Sequence, residues 1–253
     1  MKHLGIIGCG WLGEHLVEHF APTYSIHTTN TSESKATLLK IKGCQTSIIN
    51  FDNPIDAPWE ILSKLDAIII TVPFSKRTEL NLLKTRFHNI SSFIFRFKKP
   101  IFLMSSIGVY PQIERIINEN TLDEADLDQH ILSIEKQMKS NFPHLNILRL
   151  GGLMGGNRML SNYKVNNLHQ VVNHIHYKDV CLVIEKMLSR NLISKTYNIV
   201  APLHPTKLEV VNQQTGKPIP TNPQEIFGRI ISSHLSEIEI PYSYRYPDPT
   251  KFM

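Results

Sequence analysis

The chain has 253 residues, 42% of them apolar and 19% charged. That balance excludes a disordered or collagen-like chain, and the length allows one large domain or a core with a smaller lobe. Its 27 Lys and Arg against 22 Asp and Glu leave a formal charge of +5, thinly scattered: the densest run, Arg96-Phe97-Lys98-Lys99, reads as a solvated edge, so no nucleic-acid partner is expected.

Cys9, Cys44 and Cys181 lie far apart, with neither disulfide-framework nor zinc-site spacing. The apolar opening from Leu4 to Leu12 is broken by three glycines and followed by Glu14. It therefore lacks the features of a signal peptide or a membrane span, and a cytoplasmic protein is expected.

Taken in order, residues 3–7 form a short apolar strand. Trp11, Leu12, Leu16 and Phe20 then recur at the spacing of one helix face. The pattern repeats: a strand at 24–29, a helix at 32–42, a strand near 46–50 and a continuous apolar strand from Ala67 to Val72, closed by Pro73. A helix around 77–97, a strand from Ile101 to Met104, a helix from Glu124 to Ser140 and a strand from Asn146 to Leu150 follow. Such alternation predicts a doubly wound parallel sheet of at least six strands, an α/β Rossmann architecture.

Beyond Gly151 the pattern loosens. A strand is expected at Val171–Ile175, a helix at Lys178–Ser189 and another behind the capping-box sequence Thr206-Lys-Leu-Glu209, ending at Gly216. A loop with three prolines spans Lys217–Pro223. The expected division is a dinucleotide-binding domain of residues 1–150 with 166–200, and a small substrate-side lobe of 151–165 with 201–253.

Gly8-Cys9-Gly10-Trp11-Leu12-Gly13 is a G-x-G-x-x-G between the first strand and the first helix. In that context the glycines serve a tight turn, close approach of a pyrophosphate and close helix–strand packing, while the helix N-terminus attracts phosphate. The acidic residue that would hold an NAD ribose is missing: the second strand ends Thr29-Asn30-Thr31-Ser32, with Lys35 nearby. Asn30, Thr31, Ser32 and Lys35 offer donors and no carboxylate, which favours NADP while leaving NAD possible. Ligands of such sheets sit at the carboxyl ends of the strands, so Val72, Pro73 and Ser105 join the expected cofactor contacts.

His15-Leu-Val-Glu18-His19 matches the H-x-x-E-H zinc pattern, and His169, His174 and His176 cluster in sequence. The glycine turn already explains the first helix, and histidines bordering a strand explain the second group. No metal is expected.

Ser105-Ser106-Ile107-Gly108-Val109-Tyr110 resembles the S-S-x-x-V-Y segment of the extended short-chain dehydrogenases/reductases, which include nucleotide-sugar epimerases and dehydratases. Arg149-Leu150-Gly151-Gly152-Leu153-Met154-Gly155, the run Val172–Val180, the strand Tyr197-Asn198-Ile199 and the ending Tyr246-Pro247-Asp248-Pro249 are similar in order to segments of that family's atypical members.

The resemblance implies an NAD(P)-dependent oxidoreductase or epimerase-like enzyme acting on a small molecule. Its Tyr-x-x-x-Lys pair, aligned through Glu135, falls on Leu127 and Ile131, so the usual acid/base is missing. Ser106 and Tyr110, with His130 behind them, are the remaining candidates for proton transfer. A non-catalytic NAD(P)-binding sensor or regulator is the alternative. A β-hydroxyacid dehydrogenase shares the opening Gly5–Gly13 but would need a long all-helical second half.

Overall fold

The computed structural model describes residues 1–74, 78–218 and 226–252. The first residue of the helix expected from 77, and the stretch 219–223 of the expected proline loop, lie outside them. In chain order the elements are β1 (Lys2–Ile7), α1 (Trp11–Phe20), β2 (Tyr24–Asn30), α2 (Glu33–Ile41), β3 (Gln45–Ile48), β4 (Ala67–Ile70), α3 (Leu80–Phe93), β5 (Ile101–Ser106), β6 (Ile116–Ile117), α4 (Gln129–Asn141), β7 (Asn146–Leu150), β8 (Gly152–Met154), β9 (His174–His176), α5 (Tyr177–Ser189), β10 (Thr196–Ile199), α6 (Lys207–Gln214), β11 (Ile230–Ile231) and α7 (His234–Glu239).

Seven strands form one sheet in the order β10-β7-β5-β4-β1-β2-β3. The pairs β1–β2, β1–β4, β2–β3 and β4–β5 are parallel. Ile147 N–H donates to the Lys195 carbonyl and Gly151 N–H to that of Ile199, a constant offset that sets β7 and β10 running in one direction. β4 is wholly apolar and buried along its length, as a central strand covered on both faces must be. The sheet is α/β and doubly wound. From β1 the chain steps outward to β2 and β3, then returns to β4 on the other side, which opens a crevice at the carboxyl ends of β1 and β4.

The chain divides into two compact units. The first comprises 1–105, 128–148 and 188–196; the second comprises 106–127, 149–187 and 197–252 among the described residues. The second unit thus includes 106–127, 149–150, 166–187 and 197–200, which the sequence reading places with the dinucleotide domain.

Within the second unit, β6 pairs with β11 and β8 with β9, both parallel. A small apolar cluster of Leu160, Val172 and Val210 packs there. Asp179, on α5, is fully buried and ties down a distant stretch of chain. Its carboxylate accepts from the Tyr242 hydroxyl, from Arg245 N–H at 2.8 Å and from Tyr246 N–H at 3.1 Å.

Two of the boundaries that move have a visible local cause. The helix expected from Glu124 is a short 3-10 turn, Glu124–Asp126, followed by α4. Leu127 between them is extended, and the Asp128 side chain caps α4 by accepting from Ile131 N–H at 3.1 Å, so the competing N-cap sets the true start. The strand expected at Val171–Ile175 is β9, because Val171 and Val172 spend their amides on the carbonyls of Phe227 and Pro205.

The capping box at α6 is formed. Thr206 Oγ1 accepts from Glu209 N–H at 3.2 Å, and Glu209 Oε2 accepts from Thr206 N–H at 2.6 Å. Thr206→Ala should lower unfolding free energy by about 1 kcal/mol, read from the midpoint of urea denaturation, while Thr206→Ser retains most of it.

Candidate functional site

The turn leaving β1 is held by strict geometry. Gly8 has φ +81°, and a Cβ there would lie 2.4 Å from Val72 Cγ2, so only glycine fits both the left-handed backbone and the approach of β4's extension. Thr29 Oγ1 accepts from Gly8 N–H at 3.0 Å, Thr71 Oγ1 donates to the Gly8 carbonyl at 2.7 Å, and Cys9 N–H donates to the Thr29 carbonyl at 2.8 Å. Three strands thereby fix the turn. At Gly13 a Cβ would press on Cys9 Sγ at 3.1 Å, the close packing read from the third glycine.

Gly10 differs. The nearest atom to its notional Cβ is the Gly8 carbonyl oxygen at 3.8 Å, so it faces open space. It is also the N-cap of α1 and offers no side-chain cap. The first rung of the helix ladder is Glu14 N–H to the Gly10 carbonyl, 2.9 Å, so the amides of Leu12 and Gly13 precede the ladder and have no acceptor within the helix.

That space belongs to a cavity of about 400 Å³ within the first unit, the size of a small-ligand site. Gly8, Gly10, Asn30, Thr31, Ser32, Lys35, Val72 and Pro73, all read from sequence, line it. Trp11, Leu12 and Gly13 continue the turn into α1.

Asn30 is 6% exposed. Its Oδ1 accepts from Ser32 N–H at 3.0 Å, which fixes the amide's orientation and leaves Nδ2 buried without a hydrogen-bond partner. A buried donor of this kind costs free energy until an acceptor arrives. Ser32 caps α2, accepting from Lys35 N–H at 3.4 Å, and Lys35 Nζ is ion-paired with Glu14. Cys9 is buried, and burial pushes its thiol up to about 12. It lines the cavity as a small neutral group.

The sequence reading missed the opposite wall, built by Ile49, Asn50, Phe51 and Asp52 after β3 and by Arg86 of α3. Arg86 grips Asp52 with Nε to Oδ1 at 2.6 Å and Nη2 to Oδ2 at 3.0 Å. Asn89 Nδ2 holds the carbonyls of Phe51 and Asn53 at 2.9 and 2.8 Å. The rule placing ligands at strand carboxyl ends points to 49–52; nothing in the sequence pattern marks Arg86.

Ser105 does not line the cavity. It is buried, and its hydroxyl donates to Glu135 Oε1 of α4 at 2.5 Å. Ser106 Oγ accepts from Gly108 N–H at 2.9 Å and caps a 3-10 turn.

Tyr110 lies in the second unit and is 2% exposed. Its hydroxyl donates to Asn198 Oδ1 at 2.8 Å and accepts from Arg149 Nη1 at 2.9 Å, while Arg229 holds its backbone carbonyl. Burial raises its pKa, against the opposing pull of Arg149. Both hydrogen-bonding roles of the phenol, donor and acceptor, are thus filled within the protein. His130 sits half-buried at the start of α4, its Nδ1 buried without a partner. Leu127 and Ile131, at the aligned Tyr/Lys positions, are both buried.

The rival metal motifs are otherwise engaged. Glu18 binds Lys42 at 2.7 Å, and burial pushes the His174 imidazole down to about 4. Among the described residues no three His, Cys, Asp or Glu side chains gather at metal-binding spacing, and no helix is long and apolar enough to cross a membrane.

No family model matches the sequence. Protein YeeZ of Escherichia coli (strain K12) is 25% identical, with 98% of each chain covered. Among solved structures, UDP-glucuronic acid 4-epimerase from Bacillus cereus in complex with NAD superposes with a TM-score of 0.72 at 15% identity, covering 100% of this chain and 96% of that one. The chain shares the α/β, doubly wound fold of this epimerase. The human epimerase family protein SDR39U1, solved with NADPH, gives 0.68 at 14% identity, with 98% and 97% covered.

Tyr110→Phe should lower stability by about 1–3 kcal/mol near neutral pH, through loss of two buried hydrogen bonds. With the folded pKa above the ordinary value, the unfolded chain releases the phenolic proton first, so this contribution is complete below about pH 10 and shrinks as pH rises past it. Denaturation followed from pH 7 to 11 should therefore show a shallower alkaline decline in the variant.

Proposed function

We propose that the first unit binds a nicotinamide dinucleotide across the Gly8–Gly13 turn, NADP(H) in preference to NAD(H), and that the chain is an oxidoreductase or epimerase-like enzyme acting on a small polar substrate. The observation that carries the reading is the cavity at the carboxyl ends of β1 and β4, open at Gly10 and lined by the unpartnered Asn30 amide. The residues fit the group. The amides of Leu12 and Gly13 with the α1 dipole suit a pyrophosphate, the wall at 49–52 suits the adenosine end, and Asn30, Ser32 and Lys35 offer donors to a 2′-phosphate. The B. cereus epimerase solved with NAD and human SDR39U1 solved with NADPH support the cofactor class.

When bound, the dinucleotide supplies hydride transfer. The chain's own residues hold its phosphates and set which ribose is accepted. Ser106 is the hydroxyl proposed to meet the substrate; in the structure its oxygen accepts one backbone N–H, from Gly108. The commitment of Tyr110 to Asn198 and Arg149, with apolar Leu127 and Ile131, favours a second reading: a cofactor-binding sensor without turnover.

Gly10→Val places a side chain in the space assigned to the pyrophosphate. Calorimetric affinity for both NADPH and NADH should fall at least about tenfold with the fold intact; unaltered affinity overturns the reading. Turnover of the bound cofactor against small aldehydes, ketones and nucleotide sugars, lost in Ser106→Ala, separates the enzyme from the sensor.

Asn30→Asp keeps the bond to Ser32 N–H but replaces the unpartnered donor with a carboxylate oxygen. It should shift the NADPH-to-NADH affinity ratio toward NADH by about tenfold or more, measured at one fixed ionic strength.

A further inference from the structure

Lys35 is the cation nearest in sequence to the proposed 2′-phosphate donors, and it lines the cavity beside Asn30 and Ser32. Its charge is not free. The ammonium is ion-paired with Glu14 Oε1 in the first turn of α1. The other oxygen of Glu14 lies 3.9 Å from Lys42 Nζ, which sits closer to Glu18 at 2.7 Å. Two carboxylates one turn apart on α1 thus face two lysines of the α2 region, and the network is neutral as a whole. Glu14 and Lys35 are only partly exposed, at 34% and 26% of their side chains, so their interaction is screened less than that of a surface pair.

We infer that Glu14 is a specificity-determining residue for the cofactor, holding the site's preference for a 2′-phosphate over a 2′-hydroxyl below what Lys35 alone would give. The inference rests on the dinucleotide reading above. A 2′-phosphate carries nearly two negative charges and must share the Lys35 ammonium with the carboxylate already on it while feeling that carboxylate's repulsion. A 2′-hydroxyl is neutral and feels neither effect strongly. The buried Asn30 amide and the Ser32 hydroxyl give the phosphate neutral donors, so the site discriminates through neutral donors and a compensated cation. Removing the compensation exposes a full positive charge to the phosphate and leaves the rest of the cavity as it was.

The experiment compares wild type with Glu14→Gln, Glu18→Gln, Lys35→Met and Glu14→Gln/Lys35→Met, titrating each with NADPH and with NADH at one ionic strength and checking its melting temperature. Glu14→Gln should raise the NADPH-to-NADH affinity ratio by about three- to tenfold, mainly through tighter NADPH binding. Glu18→Gln makes the same change in net charge on the same helix and should move the ratio less than about twofold. The double variant should match Lys35→Met. An unchanged or lowered ratio in folded Glu14→Gln, or an equal rise in Glu18→Gln, overturns the inference while NADH binding upholds the dinucleotide reading. Binding of neither cofactor by the wild type overturns both.

Discussion

The left-handed backbone at Gly8, pressed against Val72 where a side chain would have to go, fixes the relation between the end of β1 and the start of α1. Thr29 from β2 and Thr71 just beyond β4 lock the same peptide from either side. The axis of α1, the openness at Gly10 and the position of the amides ahead of its ladder follow from that one conformation. A phosphate held there meets a rigid surface, so little ordering entropy remains to be lost on binding.

Charge around the cavity is handled by pairing. Lys35 is matched by Glu14 and Arg86 by Asp52, the latter in a two-pronged contact that sets the guanidinium plane. The cavity therefore presents an almost neutral interior, although the chain as a whole carries a formal charge of +5. Recognition in such a site depends on where individual donors lie more than on attraction at long range, and the buried Asn30 amide is the clearest of those donors.

The sheet and the glycine turn were legible because their signals are local: continuous apolar strands, helix spacing and a hexapeptide between them. The Thr206 capping box was legible for the same reason. The start of α4 was misplaced because Asp128 competes as a cap with an acidic stretch that reads as helix. The wall at 49–52 was overlooked although the strand-end rule reaches it, and Arg86 has no local signature because its role exists only through Asp52, 34 residues away in sequence. Tyr110 is singled out by the resemblance of its segment and by its place after the fifth strand; its hydrogen-bond partners, Arg149 and Asn198, come from β7 and β10 and could not be seen from the segment itself.

Asp179 gives the second unit an order of assembly. Its buried carboxylate draws donors from residues 63 to 67 positions further along the chain, so α5 can form its turns early but cannot bury that charge until residues 242–246 have been made. During synthesis, which proceeds at about 5–20 residues per second, the nascent unit would hold a carboxylate that must stay hydrated or take up a proton. A chain cut short before Tyr242 would keep every strand of the central sheet and still leave that carboxylate without its three donors.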